Sequence, residues 1–236
     1  MLQDTYDKIV LAQFPDAMNM RDASVQFLGR LKNEFGFVIS STLMAESVCA
    51  DEINHRNKVF FHVLGDPFEM GGLAGIPFTG TVGLKAYAHH IPDHGYGLIF
   101  FGAHIGITTQ GKFGEVCRHG RHKAGTSCGA LMIVLSYFRS GETLPADYTN
   151  DPQILQLFQW LEPLKQRILQ AENPEIEITN CTYEIIRAKT FNAFDVARSE
   201  FHVRKIALLG GIIINTEKGA DDYFVLRDFE VREIGG

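Results

Sequence analysis

Apolar residues at Met20, Ala23, Phe27, Leu28 and Leu31, with polar residues between them, follow a helical period and predict an amphipathic helix over about 19–35. Gly36 is its natural stop. Residues 37–48 are mostly apolar or small and fit either a strand or a short helix. The run Val59-Phe60-Phe61-His62-Val63-Leu64 predicts a strand over 57–64, closed by Gly65-Asp66-Pro67. A helix over 83–90 precedes a strand over 96–107, whose aromatic and β-branched content around Leu98-Ile99-Phe100-Phe101 marks it as a buried central strand. Residues 110–122 read as a polar, glycine-punctuated loop, and 129–138 as an apolar helix packed on more than one face. Ile154, Leu155, Phe158, Leu161, Leu164 and Ile168 keep helical spacing through 151–170, with a kink expected at Pro163. A helix from Thr182 to about Phe201 follows, and then two strands, 205–215 and 223–233, joined as a hairpin through 216–221. Strands mixed with helices in this way predict an α/β core.

A chain of 236 residues with 45% hydrophobic and 21% charged residues is expected to pack as one domain over 1–236. A formal charge of -6, with no run of Lys or Arg, argues against nucleic acid or an anionic membrane as partner. Four cysteines, Cys49, Cys117, Cys128 and Cys181, are too few for a disulfide scaffold at this length. They point to a reducing compartment, by default the cytoplasm, or to metal duty. No stretch approaches the ~18 apolar residues of a membrane span, and the start has no basic region leading into an apolar one.

Candidate chemistry gathers at element ends. Cys49 closes the 37–48 segment, His104 lies where the 96–107 strand runs out, and Cys128 opens the 129–138 helix. Catalytic groups of α/β sheets collect at carboxyl ends of strands. A helix N-terminus favours a thiolate through its free N–H groups and dipole. Two thiolates and an imidazole suit zinc and leave a fourth tetrahedral position for water. Asp51, two residues past the first thiol, is placed to accept a hydrogen bond from that water. The plain alternative is two packed core cysteines and a hydrogen-bonded histidine. The cluster Gly71-Gly72-Leu73-Ala74-Gly75 permits close backbone approach, but it has neither the GxGxxG register nor a following Gly-Lys-Ser/Thr, so nucleotide binding there is weakly supported.

Five stretches together carry a resemblance: Cys49-Ala50-Asp51-Glu52-Ile53-Asn54, 72–80, His89-His90-Ile91-Pro92-Asp93, Gly102-Ala103-His104-Ile105-Gly106 and Ser127-Cys128-Gly129-Ala130. In this order they resemble the limiting-CO2-inducible protein B/C family, which is akin to β-class carbonic anhydrases. The resemblance implies a β-carbonic-anhydrase-like central mixed sheet flanked by helices, with zinc held by Cys49, His104 and Cys128 at strand and helix ends. It implies reversible hydration of CO2 to bicarbonate, with Asp51 as the carboxylate beside the metal. Ordinary β-class enzymes use Cys-x-Asp-x-Arg and His-x-x-Cys; here Ile53 and Ile107 stand at the arginine and second-cysteine positions. Arg56 is the nearest candidate partner for Asp51, with Arg118 and Arg121 in competition. His55, His89, His90, His94, His119 and His122 have the chemistry to carry a proton, and none is singled out. A homodimer with 71–80 near its boundary is implied as well. The competing function is a non-catalytic family member that scaffolds a CO2-concentrating assembly or binds inorganic carbon. A zinc deaminase would need His-x-Glu and Pro-Cys-x-x-Cys, which are missing. A metal-free α/β protein with a redox-sensitive thiol pair is the remaining rival.

Overall fold

The computed structural model describes residues 2–144, 148 and 150–234, with the backbone alone for 58–60. Its centre is a pair of long parallel strands, β4 (Tyr96–Gly106) and β7 (Lys205–Asn215), eleven residues each and in register from Tyr96↔Lys205 to Gly106↔Asn215. Every residue of β4 is buried, as a near-continuous apolar run demands when both faces of a sheet are covered. Strand β2 (Thr42–Ser47) lies parallel to β4 on its other side, and β8 (Tyr223–Glu233) returns antiparallel to β7. Two-residue strands at the margins, β1 (Met18–Asn19) on β8 and β3 (Phe68–Glu69) on β2, complete a mixed six-stranded sheet of order β1-β8-β7-β4-β2-β3.

Alternation along β4 divides the core in two. Ile99, Phe101, Ala103 and Ile105 face one layer of helices: α1 (Leu2–Gln13), α3 (Gly80–His90), α4 (Gly129–Ser140), α5 (Pro152–Leu161), α6 (Lys165–Gln170) and α7 (Pro174–Ala197). Leu98 and Phe100 face the other, formed by α2 (Met20–Asn33) and a 3-10 helix, Glu52–Leu64. Asn19 caps α2 by accepting from the Arg21 amide at 2.9 Å. A 3-10 turn at Glu162–Leu164 separates α5 from α6 around Pro163, the interruption expected of that proline.

Several expectations change. Residues 57–64 are 3-10 helix, not strand: Phe61 and Leu64 are buried while His62 and Val63 are exposed, a period of three rather than two. Residues 37–48 hold a 3-10 turn, Ile39–Ser41, followed by β2. Within 110–126 a short ribbon pairs β5 (Glu115–Val116) with β6 (Gly125–Thr126). Helix α7 starts at Pro174, eight residues before Thr182, where Asn173 caps it through the Ile176 amide at 3.0 Å. The glycine cluster does bring backbones together: a Cβ on Gly71 would meet the Val48 carbonyl oxygen at 2.1 Å, and one on Gly75 the Gly102 carbonyl oxygen at 2.3 Å.

Candidate metal centre

The sheet delivers two of the three candidate sulfur and nitrogen ligands. Register pairs Ser47 of β2 with Phe101 of β4, so Cys49, two residues past β2, arrives beside His104 near the carboxyl end of β4. Cys128 comes from the opposite direction as the N-cap of α4. One ligand atom from each of Cys49, His104 and Cys128 lies within 4.8 Å of the other two, and all three side chains are buried. The two Sγ atoms are 3.8 Å apart. Two sulfurs each about 2.3 Å from a common tetrahedral centre stand about 3.8 Å from one another, so this spacing suits one ion between them.

Further signs point the same way. His104 Nδ1 is engaged with Asn215 Oδ1 at 2.7 Å, while Nε2 is buried with no hydrogen-bond partner. A buried ring nitrogen left unpaired is costly unless something else binds its lone pair. The thiol of Cys49 is pushed up by its hydrogen bond to Cys128 and by burial. Cys128 is held below the usual thiol range by that same contact and, against its burial, by the Leu131 and Ala130 amides at the first turn of α4. These residues therefore suit a thiophilic divalent ion.

Asp51 caps the 3-10 helix, accepting from the Ile53 amide at 3.3 Å. Arg118 grips it with two parallel bonds, Nη1 to Oδ1 at 2.6 Å and Nη2 to Oδ2 at 2.8 Å, and reaches Glu52 Oε1 at 2.6 Å and the Thr126 carbonyl at 3.1 Å. Burial pushes the Asp51 carboxyl up, but the Arg118 guanidinium outweighs it and holds the group well below the usual carboxylate range. Arg56, the arginine nearest in sequence, is not the partner of Asp51. It pairs instead with Asp222, donating from Nε at 2.9 Å, and with the Thr216 carbonyl at 2.7 Å. The reason is the helix: with about three residues per turn, a residue five places beyond Asp51 points away from it.

A profile for the limiting CO2-inducible proteins B/C beta carbonic anhydrases matches residues 18–233. The chain belongs to this family. Among solved structures, this family member is similar to PtLCIB4, a homolog of the limiting CO2-inducible protein LCIB, at 33% identity and a TM-score of 0.88, over 97% of this chain and 96% of that one. A mutant of PtLCIB4 gives 31% identity and a TM-score of 0.90, over 98% and 95% of the two chains. LCIB itself shares the fold at 18% identity and a TM-score of 0.66, over 94% of this chain and 96% of its own. No curated protein matches in sequence.

In this family member the surroundings of Arg118 are basic and open. Arg118, Arg121, His122 and Lys123 line a cavity of about 700 Å³ that reaches Thr126 and Gly129, next to Cys128. On the other side of Arg118, Glu52, Arg56, Cys117 and His119 line a second cavity of about 300 Å³. His119 and His122 thus border the site's surroundings; His55 is exposed on the 3-10 helix that Asp51 caps, and His89, His90 and His94 are exposed on other segments. Among the described residues no helix is long and apolar enough to cross a membrane. Sequence reasoning passed over Asn215 and Asp222, which lie beneath His104. A polar residue ending the apolar strand β7 was the available signal for Asn215, parallel to the one that marked His104 on β4.

Proposed function

We propose that this protein is a zinc carbonic anhydrase that interconverts CO2 and bicarbonate, with Cys49, His104 and Cys128 as ligands and Asp51 with Arg118 beside them. The observation that supports it is the convergence of three buried ligand atoms within 4.8 Å, with a guanidinium-held carboxylate two residues from one of them. Zinc bound there would lower the pKa of a water to about 7 and so provide hydroxide at neutral pH. The chain does the rest. Asp51, ionised under Arg118, has only acceptor capacity and orients solvent beside the sulfurs by taking a hydrogen bond from it. Burial of the three ligands keeps competing water away from their far side. The cationic lining of the larger cavity favours an anion over neutral CO2, which suits bicarbonate on its way out. Arg56 has no direct part in this chemistry.

The working unit we propose is a homodimer whose boundary includes 71–80; Val82, just beyond that stretch on α3, is 80% exposed. The test is stopped-flow CO2 hydration on purified protein of measured metal content. One zinc per chain and a rate abolished by chelation are expected, as is loss of both in Cys128→Ala. A zinc-loaded protein without hydration activity would instead favour an inorganic-carbon binder or scaffold.

A further inference from the structure

Three polar side chains packed beneath His104 have no part in the chemistry above. Asn54, Asn215 and Asp222 are 1%, 0% and 2% exposed, a depth at which a polar group persists only when its bonds are made. Around them the direction of every bond is determined. Asp222 is surrounded by donors: Oδ2 accepts from Asn215 Nδ2 at 3.0 Å, Asn57 Nδ2 at 2.8 Å and Arg56 Nε at 2.9 Å, and Oδ1 accepts from the Thr216 amide at 2.8 Å. Asn54 gives its Nδ2 to the Cys49 carbonyl at 3.2 Å, which leaves its Oδ1 to accept from Asn215 Nδ2 at 3.2 Å.

With two acceptors on its nitrogen, the Asn215 amide has one orientation, and its Oδ1 faces His104 Nδ1 at 2.7 Å. A carbonyl oxygen only accepts, so the imidazole proton sits on Nδ1 and the Nε2 lone pair is directed at the sulfurs. From this geometry we infer that Asn215 and Asp222 are positioning residues that set the tautomer and orientation of His104 for metal binding, an inference that rests on the zinc reading above. Here an amide stands between the carboxylate and the histidine, so orientation is passed on while the full negative charge stays one residue away, neutralised by Arg56. The arrangement also gives the hairpin a purpose. Asn215 ends β7 and Asp222 immediately precedes β8, and the Thr216–Asp222 bond folds the turn back under the ligand.

The experiment measures zinc affinity by competition with a chromophoric chelator for wild type, Asp222→Asn and Asn215→Ala. Melting of each zinc-free protein and the His104 Nδ1–H cross-peak of the zinc-loaded, 15N-histidine-labelled protein, assigned with His104→Gln, are recorded alongside. Both variants are expected to bind zinc about 10- to 100-fold more weakly. In both, the Nδ1–H peak should exchange faster with solvent, while the zinc-free proteins, destabilised by the buried groups left unpaired, still fold and melt cooperatively. Asp222→Asn preserves shape and supplies the answer if the alanine variant is poorly folded. Wild type that holds zinc, with variants that hold it equally well and keep the cross-peak, would overturn the positioning role and leave the zinc reading intact. Affinity lost only together with the zinc-free fold would overturn it too, as a structural effect. Wild type that binds no zinc would remove the reading on which the inference stands.

Discussion

Arg118 and Arg56 carry the same charge and do different work because of what faces each. Arg118 offers its planar fork to both oxygens of Asp51, a contact with 22% and 11% side-chain exposure where geometry counts for more than at the surface. We expect Arg118→Ala to keep its zinc and lose about 10- to 100-fold in hydration rate, as loss of a ligand-orienting partner does. Arg118→Lys should recover only part of that, since an ammonium cannot hold both oxygens. Stopped-flow rates with zinc content measured in parallel check this, and a wild-type rate in Arg118→Ala would separate the pair from the chemistry. At this scale the three candidate ligands were legible because each ends or opens a periodic segment. The arginine was not. Its place depends on how the 107–127 segment folds around the β5–β6 ribbon, and nothing local in Cys117-Arg118-His119 encodes that long-range pairing.

Among the elements, the segment that misled pattern reading is the 3-10 helix at Glu52–Leu64. Its apolar run looked like a strand by composition, yet among the described side chains of that run Phe61 and Leu64 reach the core while His62 and Val63 do not, and Phe61 packs on Phe100 with ring centroids 5.2 Å apart. Phe61→Ala should cost about 3–5 kcal/mol in urea unfolding, whereas Val63→Ala, at a 63% exposed site, should change stability by under about 0.5 kcal/mol. In a strand the two would share a face and behave alike. The start of α7 was also misplaced, at Thr182, although Asn173-Pro174, an N-cap followed by proline at the first helical position, was a signal for it. That helix holds Cys181, whose thiol is pushed up to about 12, chiefly by burial and further by Glu177 and Glu184, against the pull of Arg167. An unfolded cysteine releases its proton near about 8.5, so above that pH the unfolded chain binds fewer protons than the folded one and stability falls. The contribution is complete below about pH 8.5 and is lost as pH climbs toward 12. The gap in unfolding midpoint between wild type and Cys181→Ala should narrow across that window. A constant gap would mean that the thiol does not ionise differently in the two states.

For the molecule as a whole, the long strands β4 and β7 could be read directly, because long apolar runs bounded by turn residues have few other uses, and β8 from its apolar start at 223–226 and the apolar–charged alternation that follows it. Their order in the sheet could not, since β7 joins β4 across about a hundred residues of intervening helices and no local pattern states which strands become neighbours. Helix α1 was likewise unanticipated: only Tyr6 and Val10 of its twelve residues are buried, too sparse a stripe to stand out. The proposed dimer makes a prediction at this scale. Val82→Arg should sediment as a monomer at micromolar concentration, with zinc content unchanged; a dimer persisting in that variant would place the contact elsewhere. Finally, the three candidate ligands belong to segments that meet only once β2, β4 and α4 have docked. No short fragment presents two of them together, so metal has nothing to grip early in folding, and loop closure must come first. Zinc uptake by the nascent chain should therefore be a late event that reports completed assembly.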